Sequence, residues 1–273
     1  AGVKPKRGPV IVADPRFDGA DPEPRAAGKG ARTAGSRGRR SRDLRGKKWE
    51  RLPGTAEEAD ALSRLLDGVQ VLRGTRATEG ALKKVAGPRI LHIATHGFFL
   101  PAEPPPAAEA GPSPGAPAPV LPGQAAEAST GPENPLLRSG LVLAGANRLS
   151  SAGDDGILTA LEAAGLDLWG TQMVVLSACE TGVGKVTEGD GVHGLRRALV
   201  IAGAETLVMS LWQVDDRATR ELMAGFYRKL HAGEGRSDAL RQVQLKMLQT
   251  ERTKHPYYWA SFVPTGSWAP LAP

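Results

Sequence analysis

Short runs of apolar residues without Asp, Glu, Lys or Arg recur along this chain, at 10–13, 69–72, 90–95, 139–143, 172–177 and 206–210. Each is strand length and predominantly apolar, without a strict alternation of apolar and charged residues. That is the signature of strands buried on both faces of a parallel sheet. Between them lie segments whose apolar residues fall at helical spacing: 55–66, 78–85, 158–164, 192–202, 218–230 and 237–248. In the first of these, Ala59, Leu62, Leu65 and Leu66 form one apolar face. Thr55 stands three residues before Glu58, the spacing of a capping box that would make Thr55 the N-cap. Strands alternating with helices predict an α/β fold with a mostly parallel central sheet covered by helices on both faces. The aromatic group Tyr257, Tyr258, Trp259 and Phe262 is expected to close one edge of that core.

Two segments interrupt the pattern. Residues 25–51 hold eleven Lys or Arg against Asp43 and Glu50, a net of +9 where the whole chain carries +6, so the remainder is about −3. This reads as a basic, flexible insertion. Residues 101–135 hold eleven of the 22 prolines, with Ala, Gly and Glu, and read as a flexible loop. The 273 residues are otherwise expected to form a single domain. No uninterrupted apolar stretch is long enough to span a bilayer, so membrane insertion is not expected. The chain starts at Ala1 without Met or a signal-peptide core, which suggests a piece of something longer.

Chemistry concentrates at the ends of two strands. The run at 172–177 is followed by Ala178, the chain's one cysteine, Cys179, and then Glu180-Thr181-Gly182. The run at 90–95 is followed by His96-Gly97. Sites in open α/β sheets form beyond the carboxyl ends of strands, so a Cys179/His96 dyad is the leading reading. A thiol with its free pKa of about 8.5 needs a base, and an imidazole can take the proton and pass it to a leaving amine. A lone Cys is most often a small core hydrophobe, and a strand-end His most often structural. Against that stand the flanking glycines, which allow close backbone approach to a substrate. His92, earlier on the same run, is read as a core residue and His193 as the rival base. One cysteine excludes a disulfide or a multi-cysteine metal site. No metal or cofactor is expected, and a reducing cytoplasm is the simplest home.

These residues resemble the catalytic blocks of the CHAT domain, a group of caspase-like cysteine peptidases related to separases. Similar matches occur at 52–59, 155–160, 203–216 and 255–262, in the expected order. The resemblance implies a three-layer caspase-like sandwich and a cysteine endopeptidase acting on a partner protein. It also implies an oxyanion hole from the Gly97 and Cys179 amides. Family members are commonly modules of larger bacterial signalling or defence proteins, often beside a helical-repeat or sensor region. Caspase-like enzymes line their specificity pocket from strand ends, which here would be Asp14, Ser177 and Asp215, with Asp216 read as a helix cap. Acidic lining would favour Arg or Lys in the substrate. Two alternatives stand beside this reading: a catalytically silent scaffold for protein binding, and a nucleic-acid-binding module built on the basic insertion. No aromatic residue interleaves the insertion before Trp49, which makes nucleic acid the less favoured partner.

Overall fold

The computed structural model describes residues 3–19, 41–44, 46–101, 133–148, 154–180, 190–212 and 214–272. Most of the basic insertion and of the proline-rich loop, and the glycine-containing segment after Glu180, lie outside the described residues. In chain order the elements are β1 (Val10–Pro15), α1 (Pro53–Ser63), β2 (Gln70–Gly74), α2 (Glu79–Lys83), β3 (Ile90–Ala94) and β4 (His96–Phe99). Then come β5 (Ser139–Val142), β6 (Ile157–Thr159), α3 (Ala160–Ala163), β7 (Met173–Leu176) and β8 (Cys179–Glu180). The chain closes with α4 (Asp190–Ile201), β9 (Thr206–Ser210), α5 (Asp216–His231), α6 (Arg236–Leu248) and β10 (Phe262–Gly266).

Six strands form the central sheet in the order β10-β9-β7-β3-β1-β2. All neighbours run parallel except β10, which pairs antiparallel with β9 at one edge. The apolar strands divide their side chains by parity. Val10, Val12, Leu91, Ile93, Val174 and Leu176 join one buried cluster with Leu82, Leu195 and Leu199 from α2 and α4. Ile11, Ala13, Ile90, Ala94, Met173 and Val175 join another with Leu62 of α1 and Leu222, Phe226 and Leu240 of α5 and α6. This is the expected three-layer caspase-like α/β arrangement; the inner strands are almost wholly apolar because both faces are covered, while the edge strands β2 and β10 are partly exposed. Among the described residues no helix is long and apolar enough to cross a membrane.

A second sheet, ordered β6-β5-β4-β8, was not visible in the sequence pattern. Here β3 does not continue to its glycine. The chain breaks at Thr95 and resumes as β4, and β7 likewise resumes as β8 after Ser177 and Ala178. Phe98, Val142 and Ile157 of this sheet pack with Phe17, Leu44 and Trp49 in a small third cluster. The segment expected to be helical from residue 158 begins instead as β6, and only Ala160–Ala163 is α-helix.

The capping box falls on a different Thr-x-x-Glu, Thr159 to Glu162. Thr159 caps α3, with its side chain and that of Glu162 bonded reciprocally. At α1 the N-cap is Leu52, because Pro53 occupies the first turn and starts the helix before Thr55. Thr55 Oγ1 donates to the Leu52 carbonyl and accepts from the Asp14 amide. Glu162 and Glu79 also share Lys83 with Asp154, which ties α2 to the start of β6 and to α3.

Pairing of β5 between β4 and β6 leaves no room at Gly140, where an added Cβ would meet the Leu158 carbonyl and lie 2.8 Å from Phe98 Cζ. Gly140→Ala is therefore expected to destabilise the fold by about 1–3 kcal/mol, the usual cost of overpacking. A urea unfolding midpoint lowered relative to the wild type, at unchanged slope, checks this.

Candidate active site

Breaking β3 and β7 at the same level keeps their continuations adjacent. β4 and β8 pair in parallel, with His96 the register partner of Cys179 and Gly97 that of Glu180. The two residues singled out in the sequence thus stand side by side on neighbouring strands. Gly97 also pairs with Leu141 of β5. His193 lies in the first turn of α4, and its side chain is outside the described set, as are those of Cys179 and Glu180.

The His96 ring is only 5% exposed. It is packed by Phe17 and Trp49, whose ring centroids lie 5.1 and 5.5 Å away. Its Nε2 is 2.7 Å from the Glu50 carbonyl oxygen. A carbonyl can only accept, so Nε2 carries the hydrogen and Nδ1 is left with its lone pair. Nδ1 is buried and without a hydrogen-bond partner among the described residues. Burial lowers the imidazole pKa below its ordinary 6.5, only partly opposed by the bond to the Glu50 carbonyl. His96 is therefore a neutral base near pH 7, with its basic nitrogen fixed by the tautomer. The Glu50 carbonyl was not recognised in the sequence, where a backbone acceptor leaves no residue signature.

Asp14 sits at the end of β1 with φ +46°, in the left-handed region unfavourable to a non-glycine residue. It marks a register irregularity between β1 and β2. Its carboxylate is forked by Arg51, with Nε to Oδ1 at 2.8 Å and Nη2 to Oδ2 at 2.7 Å, and Arg73 Nε approaches to 3.4 Å. Burial alone would raise its pKa, but the bonds and charges of Arg51 and then Arg73 hold it below the ordinary value. The expectation of an acidic pocket needed an open carboxylate here. Asp14 instead has its charge matched by the chain's own arginines.

Ser177 and Asp215 are placed elsewhere. Asp215, not Asp216, is the N-cap of α5, accepting from the Ala218 amide. Asp216 packs against Gly54, and its pKa is raised by burial and by the charges of Asp215 and Glu58. Ser177 is buried and donates to Glu58 Oε2 at 3.0 Å. Glu58 belongs to a chain of buried polar groups under the end of β7. Its Oε1 is 3.1 Å from His92 Nε2, close enough for an ion pair but off the line of a hydrogen bond. His92 Nδ1 is 3.1 Å from the Tyr227 hydroxyl. Burial, and then the charge of Glu58, raise the Tyr227 pKa well above its ordinary value, so the hydroxyl keeps its proton and can donate to Nδ1. His92 is thus the core residue expected of it, and Glu58 supports the strand end instead of capping α1. Among the described residues no group of three His, Cys, Asp or Glu could hold a metal ion.

The family model described as the CHAT domain matches residues 1–267. Among characterised proteins, the chain is similar to mouse (Mus musculus) tetratricopeptide repeat protein 28, with 30% identity over 231 residues. That match covers 80% of this chain and 9% of the mouse protein. Human (Homo sapiens) tetratricopeptide repeat protein 28 is 35% identical over 111 residues, covering 41% of this chain and 4% of the human protein. The chain thus spans under a tenth of the length of these relatives.

Tyr227→Phe removes the partner of a buried ring nitrogen and is expected to cost about 1–3 kcal/mol of stability. Thermal or urea unfolding beside the wild type measures it, and a loss no larger than that of an exposed control such as Tyr257→Phe would show that His92 does not depend on the hydroxyl.

Proposed function

This chain belongs to the CHAT domain family, and on that premise we propose that it is a cysteine endopeptidase with Cys179 as nucleophile and His96 as general base and acid. The observation that carries the reading is the state of His96. It is the register partner of Cys179, and its Nδ1 lone pair is buried with no partner among the described residues. Its other nitrogen is held by the Glu50 carbonyl. That is the arrangement a thiol needs in order to lose its proton.

In this mechanism His96 Nδ1 takes the Cys179 proton and the sulfur attacks the scissile carbonyl carbon. The oxygen of the tetrahedral intermediate is assigned to amides at the paired ends of β4 and β8, those of Gly97 and Cys179. His96 then gives the proton to the departing amine nitrogen as the C–N bond breaks, leaving a thioester. Water, deprotonated by the same Nδ1, attacks the thioester carbon and frees the carboxylic acid and the thiol. The Glu50 carbonyl keeps the ring in one tautomer throughout and stabilises the imidazolium when it forms. The substrate in this reading is a partner protein. A helical-repeat region alongside the domain is part of the same proposal, supported by the names and far greater length of the two relatives.

Incubation of the purified chain with fluorogenic peptides that differ at a single residue tests the dyad. Cleavage should be lost in both Cys179→Ala and His96→Ala, and turnover surviving in either would remove that residue from the mechanism. The pH dependence follows from the lowered His96 pKa. Protonation of Nδ1 abolishes the base, so the acid limb of kcat/KM should lie below pH 6.5. Trp49→Ala admits water to the ring and should move that limb upward, toward the ordinary histidine value. A limb that stays put on this substitution would mean that burial by Trp49 does not set the pKa.

A further inference from the structure

Beyond the carboxyl ends of β1 and β2 lies a cleft of about 670 Å³. Its lining includes four arginines, Arg16, Arg51, Arg73 and Arg76, and two acids, Asp14 and Asp18. Counted by residue, the arginines of the lining outnumber its acids by two, and Arg73 is also paired with Asp60 outside it. Asp14 is 4% exposed and already forked by Arg51, with Arg73 beside it. Asp18 accepts from the neutral Asn147 amide. On the cationic side, the Arg51 side chain is 66% exposed, and only its Nε and Nη2 engage Asp14, so its other guanidinium donors are available to a ligand. Arg76 is exposed and makes no ion pair among the described residues.

The cleft also adjoins the dyad. Phe17 and Trp49 line it, and the same two rings pack on His96. A peptide whose scissile bond reaches His96 would lay a neighbouring residue into this cleft. Aromatic walls with guanidinium forks match a carboxylate side chain, which arginine binds through two parallel bonds. A substrate Lys or Arg would meet like charges there instead.

We propose that this cleft is a specificity subsite for an acidic side chain, Asp or Glu, close to the cleaved bond of a peptide substrate. The assignment rests on the peptidase reading for its location but not for its binding chemistry. It reverses the preference for basic residues that Asp14 suggested in the sequence, because the structure matches that carboxylate internally.

The test uses three peptides identical except for Glu, Gln or Lys at positions flanking the scissile bond. Binding is measured by fluorescence anisotropy on Cys179→Ala, where turnover is not required, and kcat/KM on the wild type. The Glu peptide should bind about tenfold more tightly than the Gln peptide, with the gain shrinking as salt is raised. Arg76→Glu should abolish that gain and favour the Lys peptide, and an unchanged melting temperature would show that the variant is folded. The kinetic counterpart is a change in KM with little change in kcat. Equal binding of the three peptides, a wild-type preference for Lys, or an Arg76→Glu variant with unaltered selectivity would each overturn the proposal. Selective binding of the Glu peptide without cleavage would keep the cleft and sink the peptidase reading. Cleavage with no charge preference would do the reverse.

Discussion

Parallel pairing of β3 with β7 is the constraint from which the site follows. Their register sets Ile93 opposite Leu176, so two chains leave the central sheet at one level. A hydrogen bond from the Ser177 amide to the Ile93 carbonyl holds them together across the break. Because they depart together, their continuations remain neighbours, and His96 meets Cys179 through backbone geometry alone. Burial on both faces of the sheet fixes that register, since a slip of one residue would turn every apolar side chain of a strand to the wrong layer. The pairing of His96 with Cys179 along the backbone is therefore an outcome of core packing.

Below the break, the buried polar chain from Ser177 through Glu58 and His92 to Tyr227 connects the end of β7 with α1, β3 and α5. Its two hydrogen bonds, Ser177 to Glu58 and His92 with Tyr227, hold the end of β7 to α1 and β3 to α5, while Glu58 Oε1 and His92 Nε2 face each other without one. Above the break, Phe17 and Trp49, from the cluster that also holds Phe98, cover the His96 ring. Apolar cover lowers the basicity of His96 while the Glu50 carbonyl orients it. The two effects belong to different atoms of the same short segment, residues 49 and 50.

The sequence made the central sheet legible because its strands are apolar on both faces, and 206–210 matches β9 to the residue. Cys179 and His96 were legible as strand-end residues for the same reason. The second sheet was not, since β8 has two residues and β4 follows β3 after a single residue, too short for any period to register. Thr55 and Glu58 show a different limit. Their spacing repeats that of Thr159 and Glu162, yet Pro53 moved the helix start and released Glu58 for the core. Asp14 shows a third: its position at the end of β1 could be read, but its ionic partners, Arg51 and Arg73, are 37 and 59 residues away.

The orienting group for His96 is a main-chain oxygen, and this has a consequence for how the site would look under mutation. Glu50 is exposed, and its side chain is not what holds the ring, so position 50 can accept nearly any residue that keeps the backbone path. An alanine scan would pass over it in silence. What must be preserved is the conformation of a short peptide between Trp49 and Arg51, pinned on one side by aromatic packing and on the other by an ion pair. The group that orients His96 is thus encoded by its neighbours.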